Sequence, residues 1–277
     1  MTQAQKALRL LELHRTEDPL ILINAWDAAS ARIVEHAGFP AVASGSAGVA
    51  FALGSADGQH VPWREMVAAI RRIADTVQVP VSADIEAGFA ADLSQLEGVI
   101  EQVIGAGAVG VNLEDALPDQ GEQGPLYPLP EQIARLQAAR KAGEKLGVHL
   151  VINARTDAYW QKGVERDQAL HNAVERGKAY LQAGADCIFI PGLRDAKNIR
   201  AAVEQLRAPV NILATAGAPS IQELKDLGVK RISMGSGPMR AAMGLLRRIA
   251  EEAQTSKTYK AMLEGAVPYP EMNGMFK

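Results

Sequence analysis

The chain is short of cysteine, of long apolar runs and of excess charge. Its single cysteine, Cys187, excludes an internal disulfide and a metal site built from several thiolates. The longest apolar runs, such as PLILINAW from Pro19, fall far short of the roughly 20 residues that span a bilayer. A formal net charge of -3 and a pI near 6.0 provide no basic face for nucleic acid or for a membrane surface. We therefore expect a cytoplasmic protein with neither partner.

Short β-rich apolar runs alternate with longer stretches of helical period along most of the chain. Eight strands are predicted, at residues 20–23, 41–43, 79–83, 109–113, 149–154, 187–190, 210–213 and 231–234. Helices are predicted to start near Asp27, Pro62, Leu93, Pro130, Asp167, Ala196, Ser220 and Gly237. Eight strand and helix units without a linker predict one (β/α)8 barrel of the TIM type over residues 1–277.

Both ends of the chain add helices to this barrel. The first residues form an amphipathic pattern with Ala4, Leu8 and Leu11 on one side, and this pattern predicts an N-terminal helix. An apolar C-terminal extension, at about 237–277, is predicted to pack on another subunit or on its own barrel. We expect a homo-oligomer, either a dimer or a tetramer.

Polar residues end the predicted strands, and in a barrel of this type the active site lies at those ends. Asp84 and Glu86 follow the third strand, Glu114 the fourth and Arg155 the fifth. Asp84 and Glu86 are two residues apart, so both side chains lie on the same face of the strand. A set of carboxylate oxygens favours Mg²⁺ or Mn²⁺ over zinc. The alternative is that these carboxylates pair with Arg155 and other cations at the rim of the barrel.

Small residues follow the second strand in the run SGSAG, which begins at Ser44. We expect a loop whose backbone N–H groups bind a carboxylate or an enolate oxygen. Arg155 is positioned to clamp a second carboxylate through two hydrogen bonds, or else to form a salt bridge with Asp157 or Glu114.

The segments NAWDAASARIVEHAGFPAVASGSAGVA, GSADG, SADIEAG, VNLED, INARTDAY and AGADCIFIPGL occur in an order that resembles the isocitrate lyase and phosphoenolpyruvate mutase superfamily. The resemblance covers nearly the whole chain. It implies a barrel that binds Mg²⁺ and a 2-oxo acid or its enolate, commonly as a tetramer that exchanges its C-terminal helix between subunits.

The same resemblance assigns roles to residues of this chain. Asp84 is expected beside the metal, while Glu86 and Glu114 hold metal-bound waters. Asp57 is the acidic residue of a mobile loop near the metal, and Arg155 binds the substrate. We include Asp57, Glu114 and Arg155 among the catalytic residues. The expected substrate-binding residues are Trp26, Ser44, Gly45, Ser46, Ala47 and Arg155.

This chain departs from the superfamily after VNLED. There the lyases carry a Lys-Lys-Cys-Gly-His type of segment, whose cysteine serves as acid or base, whereas this chain has ALPDQGEQGPLYP. The phosphonate mutases place an asparagine in this loop and the phosphonopyruvate hydrolases a threonine, and neither is present here. The remaining candidates are Asp119, Glu122 and Tyr127. Pro191 stands where the lyases usually have a glutamate.

We therefore expect a Mg²⁺-dependent lyase that acts on a small 2-oxo or 2-hydroxy carboxylate through an enolate. The expected chemistry is C–C bond cleavage, including decarboxylation of an oxaloacetate-like acid, which tolerates the missing cysteine best. One alternative is a mutase or hydrolase that acts on the P–C bond of phosphonopyruvate or on phosphoenolpyruvate. An alternative of another class is a protein that binds 2-oxo acids without turnover.

Overall fold

The computed structural model describes residues 1–118 and 124–277, and its centre is a nearly closed barrel of parallel strands. The strands are β1 (Leu20–Leu22), β2 (Asn24–Ala25), β3 (Val42–Ser44), β4 (Val81–Asp84), β5 (Gly110–Glu114), β6 (Val151–Arg155), β7 (Cys187–Phe189), β8 (Val210–Leu213) and β9 (Arg231–Ser233). Their order around the sheet is β1-β9-β8-β7-β6-β5-β4-β3-β2. The predicted TIM-type barrel is confirmed.

The first predicted strand is divided at Ile23, and this division joins the two edges of the sheet. β1 pairs with β9, and β2 pairs with β3. Asn24 connects the two edges, because its Oδ1 accepts hydrogen bonds from the backbone N–H groups of Met234 (2.9 Å) and Gly235 (2.8 Å). A strand edge that would otherwise remain open is therefore closed by its own chain.

Helices follow the strands, and each of the eight predicted helix starts lies within one residue of an observed start. The helices are α1 (Gln3–Leu13), α2 (Ala28–His36), α3 (Ser46–Ala52), α4 (Trp63–Thr76), α5 (Leu93–Gly105), α6 (Leu129–Lys145), α7 (Arg166–Gln182), α8 (Ala196–Leu206), α9 (Ile221–Asp226), α10 (Gly237–Thr255), α11 (Lys260–Leu263) and α12 (Tyr269–Gly274). A 3₁₀ turn spans Asp157–Trp160. The sequence patterns did not predict α3, α11, α12 or the 3₁₀ turn.

The predicted N-terminal helix is present and closes the floor of the barrel. Its buried residues are Ala7, Leu10 and Leu13, and Leu11 also packs against the core, whereas Ala4 and Leu8 are exposed. Leu10 enters the barrel beside Gly110, where an added Cβ would lie 2.8 Å from Leu10 Cδ2. Glycine at this position therefore allows α1 to approach β5 closely.

The last three helices present much apolar surface. Met239 is the one buried residue of α10, and Leu246, Leu263 and Tyr269 are more than half exposed. This exposure is consistent with a subunit contact, although exchange of the helix between subunits stays a prediction. Among the residues described, no helix combines the length and the apolar character needed to cross a membrane.

Candidate active site

A cavity of about 310 Å³ opens at the carboxyl ends of the strands. Five carboxyl side chains line it, and they come from the ends of β4, β5 and β6 and from the loop between α3 and α4. They are Asp57, Asp84, Glu86, Glu114 and Asp157. The cations in the described lining are Arg155 and Arg231, and neither histidine nor cysteine is present in that lining. The cavity therefore has more acidic than basic groups.

Asp84 is fixed by hydrogen bonds to both of its oxygens. The backbone N–H and the hydroxyl of Ser46 donate to Oδ2 at 3.1 and 3.0 Å, and Asn112 Nδ2 donates to Oδ1 at 2.9 Å. The backbone N–H of Asp84 donates to Ser44 Oγ at 2.9 Å. Because these donors come from neighbouring strands and from the start of α3, the carboxylate has one orientation in the cavity.

The support of Asp84 extends one strand further, through residues that sequence reasoning missed. Asn153 Nδ2 donates to Asn112 Oδ1 at 2.9 Å, so β6 orders β5, which in turn orders Asp84. Both asparagines lie two residues before a polar strand end, Glu114 or Arg155. Side chains two apart in a strand share a face. This period was visible in the sequence and predicts that Asn112 and Asn153 face the cavity.

Glu86 is buried, and its backbone is in the left-handed region with φ 50°. Burial, reinforced by the charges of Asp84 and Asp57, raises the pKa of the Glu86 carboxyl to about 8. A non-glycine residue with positive φ is strained, and such strain is common at functional sites. The backbone conformation of Glu86 and the burial of its carboxyl therefore both cost free energy in the folded protein.

Two contacts stabilise the strained segment that carries Glu86. The backbone N–H of Gln59 donates to the Glu86 carboxylate, and Gln59 Oε1 accepts a hydrogen bond from the N–H of Phe89 at 2.6 Å. From the outside, Arg135 Nη2 donates to the carbonyl oxygens of Ala87 and Ala90. The loop that contains Asp57 and the loop after β4 are thus connected through Gln59.

Glu114 and Asp157 both face Arg155. Arg155 Nε and Nη2 donate to the two oxygens of Asp157 at 2.6 and 2.8 Å. Arg155 Nη1 lies 2.7 Å from Glu114 Oε2, an ion-pair contact without hydrogen-bond geometry. Burial raises the pKa of Glu114 well above its ordinary value, and Asp157 and Asp84 add to that effect. Both salt bridges given as the alternative role of Arg155 are therefore present.

The predicted metal ligands face one cavity but do not form a complete ligand cluster. Within residues 1–118 and 124–277, no three His, Cys, Asp or Glu side chains are grouped closely enough to hold an ion by themselves. The donor set still fits a hard cation, because it consists of oxygens and has more carboxyls than guanidiniums in the described lining. Mg²⁺ commonly uses one or two carboxylates and keeps several waters.

The run from Ser44 is not the loop that the sequence analysis predicted. β3 ends at Ser44, Gly45 is the N-cap residue, and α3 begins at Ser46. Two of its backbone N–H groups are already used, since Gly45 donates to Ala25 O and Ser46 donates to Asp84. The N–H of Ala47 has no acceptor among the described residues, and Ala47 lines the cavity. Ala47 is therefore the available backbone donor of this segment.

The other predicted residues are divided between the cavity and its surroundings. Asp57 and Pro191 line the cavity, whereas Trp26 is not part of the lining and packs beside Gly48 of α3. Tyr127 lies behind the cavity with its ring under Arg135. Asp119 and Glu122 lie outside the described residues.

Cys187 lies in β7 and is fully buried. Burial raises the pKa of its thiol to about 12, and the side chain is not among those that line the cavity. Cys187 thus packs as a small buried side chain of β7. The single thiol of the chain is therefore unsuited to proton transfer near neutral pH.

Three comparisons place this geometry among known proteins. The family model for phosphoenolpyruvate phosphomutase matches residues 10–254. An uncharacterised Mycobacterium tuberculosis protein, Rv1998c, is 28% identical over 94% of this chain and 93% of its own length. An oxaloacetate decarboxylase of Rhodopseudomonas palustris is 29% identical over 88% of this chain and 81% of its own. The crystal structure of a lyase/mutase from Burkholderia cenocepacia, itself assigned only provisionally, is 34% identical and has a TM-score of 0.90, with coverage of 99% and 96%.

Proposed function

Since the chain belongs to the phosphoenolpyruvate mutase and isocitrate lyase superfamily of lyases and mutases, we propose that it is a Mg²⁺-dependent lyase for a small 2-oxo or 2-hydroxy carboxylate. The resemblance seen in the sequence is thereby confirmed at the level of the superfamily. We propose cleavage of a C–C bond through an enolate, with decarboxylation of an oxaloacetate-like acid as the leading case.

The observation that carries this proposal is the pairing of charges in the cavity. Asp84 and Glu86 lie together without a guanidinium of their own, while Arg155 lies beside Glu114 and Asp157. A divalent cation bound near Asp84 and Glu86 would supply positive charge to an enolate that forms there. The carboxylates and the arginine thus provide one region for the reacting oxygens and another for a substrate carboxylate.

Residues of the chain can bind and orient such a substrate. A guanidinium has five N–H donors, and two of those of Arg155 are given to Asp157, so others remain for a carboxylate. The N–H of Ala47 can donate to an oxygen on the opposite side of the cavity. Asp57 and Glu86 are the carboxyls placed to move a proton, and the raised pKa of Glu86 keeps that group protonated near pH 7 when no cation is bound.

Decarboxylation suits a site that lacks a thiol acid. In oxaloacetate the C3–C4 bond breaks, its electron pair forms the enolate of pyruvate, and C4 leaves as CO₂. A proton then adds to C3, so one proton is consumed for each molecule of CO₂ released. The carbon that leaves as CO₂ does not have to be protonated. The reaction therefore does not require a thiol acid such as the buried Cys187. A P–C reaction fits less well, because the phosphonate group would add negative charge to an already acidic cavity.

The test is release of pyruvate or glyoxylate by the purified protein, measured with and without Mg²⁺ and above the rate in Mg²⁺ buffer alone. Cleavage of isocitrate, or of a malate without a substituent at C2, yields glyoxylate rather than pyruvate. The substrates are oxaloacetate, substituted malates, isocitrate, 2-methylisocitrate and phosphonopyruvate. We expect turnover of oxaloacetate or of a malate, and Asp84→Asn should lower kcat/KM about a thousandfold, or about 4 kcal/mol. Glu144→Gln, an exposed carboxyl on α6, should leave turnover unchanged.

Other outcomes would contradict the proposal in different ways. Phosphate released together with pyruvate from phosphonopyruvate would assign the P–C reaction. Metal-dependent binding of oxalate without turnover of any substrate would favour the binding protein. Full turnover by Asp84→Asn would remove the proposed metal site.

A further inference from the structure

Apolar side chains line the mouth of the cavity on one side, while Asn211, two residues before Leu213 on β8, lines the same side deeper in the barrel. Trp160 after β6, Phe189 and Pro191 at the end of β7, and Leu213 at the end of β8 all line it, and we call these four residues the apolar wall. In the order of the barrel, β7 is four strands from β3, and β8 is four strands from β4. Phe189, Pro191 and Leu213 of the apolar wall therefore lie across the cavity from the strand ends that carry Ser46, Asp84 and Glu86.

The apolar wall is packed rather than loose. The indole of Trp160 lies directly over Gly192, where an added Cβ would be 2.1 Å from Nε1, so no larger residue fits at that position. The Arg155 guanidinium lies 5.3 Å from the centre of the Trp160 ring and 5.8 Å from that of Phe189. Arg155 is thus held between its carboxylates and two aromatic rings, and its orientation defines where one substrate carboxylate can bind.

Among the described lining residues, no cation is left for a third carboxylate. Arg155 already contacts Glu114 and Asp157, and its remaining donors are those proposed above for one carboxylate of the substrate. Arg231, the other cation of the described lining, is buried at the start of β9 and donates to Ser82 Oγ at 3.2 Å.

From the apolar wall and this shortage of cations we infer the class of substrate, an inference that rests on the proposed function. The substrate is a dicarboxylate of the malate or oxaloacetate type that carries a hydrocarbon substituent, and it is not a tricarboxylate. One carboxylate binds with the reacting oxygens beside Asp84, and the second binds Arg155. The substituent contacts Phe189, Pro191 and Leu213, where a third carboxylate would lose its hydration without gaining a cation.

A matched pair of ligands tests this inference. 3-Isobutylmalate and isocitrate share the malate core and differ in whether the CH₂ group carries an isopropyl group or a carboxylate. Both are compared with malate by calorimetric binding in Mg²⁺, with oxalate as the reference ligand for the site. We expect 3-isobutylmalate to bind at least tenfold more tightly than isocitrate and more tightly than malate. Where the pair is turned over, kcat/KM should follow the same order.

Leu213→Ala shortens the apolar wall without touching the carboxylates. It should reduce the preference of 3-isobutylmalate over malate about tenfold and leave the affinity for oxalate within twofold. Leu246→Ala, on the exposed face of α10, is the control and should change neither. Retained oxalate binding by Leu213→Ala also shows that the variant is folded.

The possible failures can be told apart. Isocitrate that binds as well as 3-isobutylmalate, or an unchanged preference in Leu213→Ala, overturns the substrate class while the proposed function stands. If the wild-type protein shows no Mg²⁺-dependent binding of oxalate or of any malate, the proposed function is overturned and the inference fails with it.

Discussion

Two carboxyls that are adjacent in the chain, Glu114 and Asp115, lie in different environments. Asp115 is fully buried, and its oxygens accept hydrogen bonds from Arg176 Nε (2.7 Å), Tyr180 Oη (2.6 Å) and the backbone N–H of Asp157 (2.9 Å). We call Asp115, Arg176 and Tyr180 the structural network. Glu114, one residue earlier, faces the cavity and leaves Oε2 without a hydrogen-bond donor among the described residues.

The difference shows how one strand end serves two purposes. Successive side chains of a strand point to opposite faces, so Glu114 faces the barrel interior and Asp115 faces the layer that contains α7. In the structural network each charge has a partner. In the cavity, Asp84, Glu86 and Asp57 are close enough to raise the pKa of Glu86. In the structural network one carboxyl is matched by one guanidinium, whereas in the described lining of the cavity five carboxyls outnumber two guanidiniums.

The largest effect on stability is expected at Glu86, whose buried carboxyl lies near Asp84 and Asp57. Glu86→Gln should stabilise the metal-free protein as pH rises. The folded pKa of about 8 lies above the ordinary value of 4.5, so the wild-type folded state binds more protons than the unfolded state between these values. The contribution of Glu86 to stability is therefore fully present below about pH 4.5 and is lost as pH rises through 8. The loss corresponds to at most about 5 kcal/mol.

Urea unfolding of both proteins from pH 5 to pH 9, in EDTA, measures this difference. The advantage of Glu86→Gln should grow with pH in that range, and Glu144→Gln serves as the exposed control. Saturating Mg²⁺ should reduce the advantage, because the cation compensates the charge of the wild-type carboxylate. A pH-independent difference would show that Glu86 is not held protonated by its surroundings.

The next prediction compares the two regions directly, with the same substitution in each. Asp115→Asn should lower the free energy of unfolding by about 3–5 kcal/mol, since it replaces a fully buried carboxylate and leaves the partly buried guanidinium of Arg176 without its counter-charge. Asp84→Asn should lower it by only about 1–2 kcal/mol in metal-free buffer, because it weakens the hydrogen bonds from Ser46 and Asn112 but takes no counter-charge from a contacting guanidinium.

Urea unfolding at pH 7 in EDTA is the measurement for this pair of variants. Activity should follow the opposite order, with the larger relative loss for Asp84→Asn once both variants are compared at temperatures where they are folded. Equal losses of stability in the two variants would mean that the two regions do not differ in the way described.

Much of this architecture could be predicted from the sequence because it depends on local patterns. Glycines such as Gly107 and Gly184, which end helices directly before strands, have φ near +100°, a conformation in which glycine is the preferred residue. The polar strand ends Asp84, Glu114 and Arg155 do face one cavity. These features follow from period, from capping and from the rule that barrel sites lie at the strand ends.

The rest depended on contacts between elements that are distant in the chain. Asn112 and Asn153 read as interruptions of apolar strands, and only their register across β5 and β6 shows that they align Asp84. Trp26 follows a strand and yet packs outside the cavity, because α3 begins directly after β3 and Gly48 lies against it. The polar residues at the strand ends predicted where the cavity lies. They did not predict which hydrogen-bond donors are engaged by other residues of the protein.

The smallest predicted effect concerns a single hydroxyl in the structural network. Tyr180→Phe removes the O–H that donates to Asp115 Oδ2 and should cost about 1.5–3 kcal/mol, the range for a hydrogen bond to a charged group. Tyr127→Phe is the matched control. Tyr127 is also buried and lies under Arg135, but within the described part of the chain its hydroxyl makes no hydrogen bond, so the loss should be below about 0.5 kcal/mol.

Thermal unfolding and turnover of both tyrosine variants complete the comparison. Tyr180→Phe should keep the kcat/KM of the wild-type protein at 25 °C, because Asp115 retains its ion pair with Arg176 and the hydroxyl lies outside the cavity. A large loss of activity without loss of stability would show that Tyr180 contributes to the cavity. The two faces of β5 would then not differ in function as described. Loss of stability alone would instead show that Asp115 acts through the fold, although it is adjacent to a residue that faces the substrate cavity.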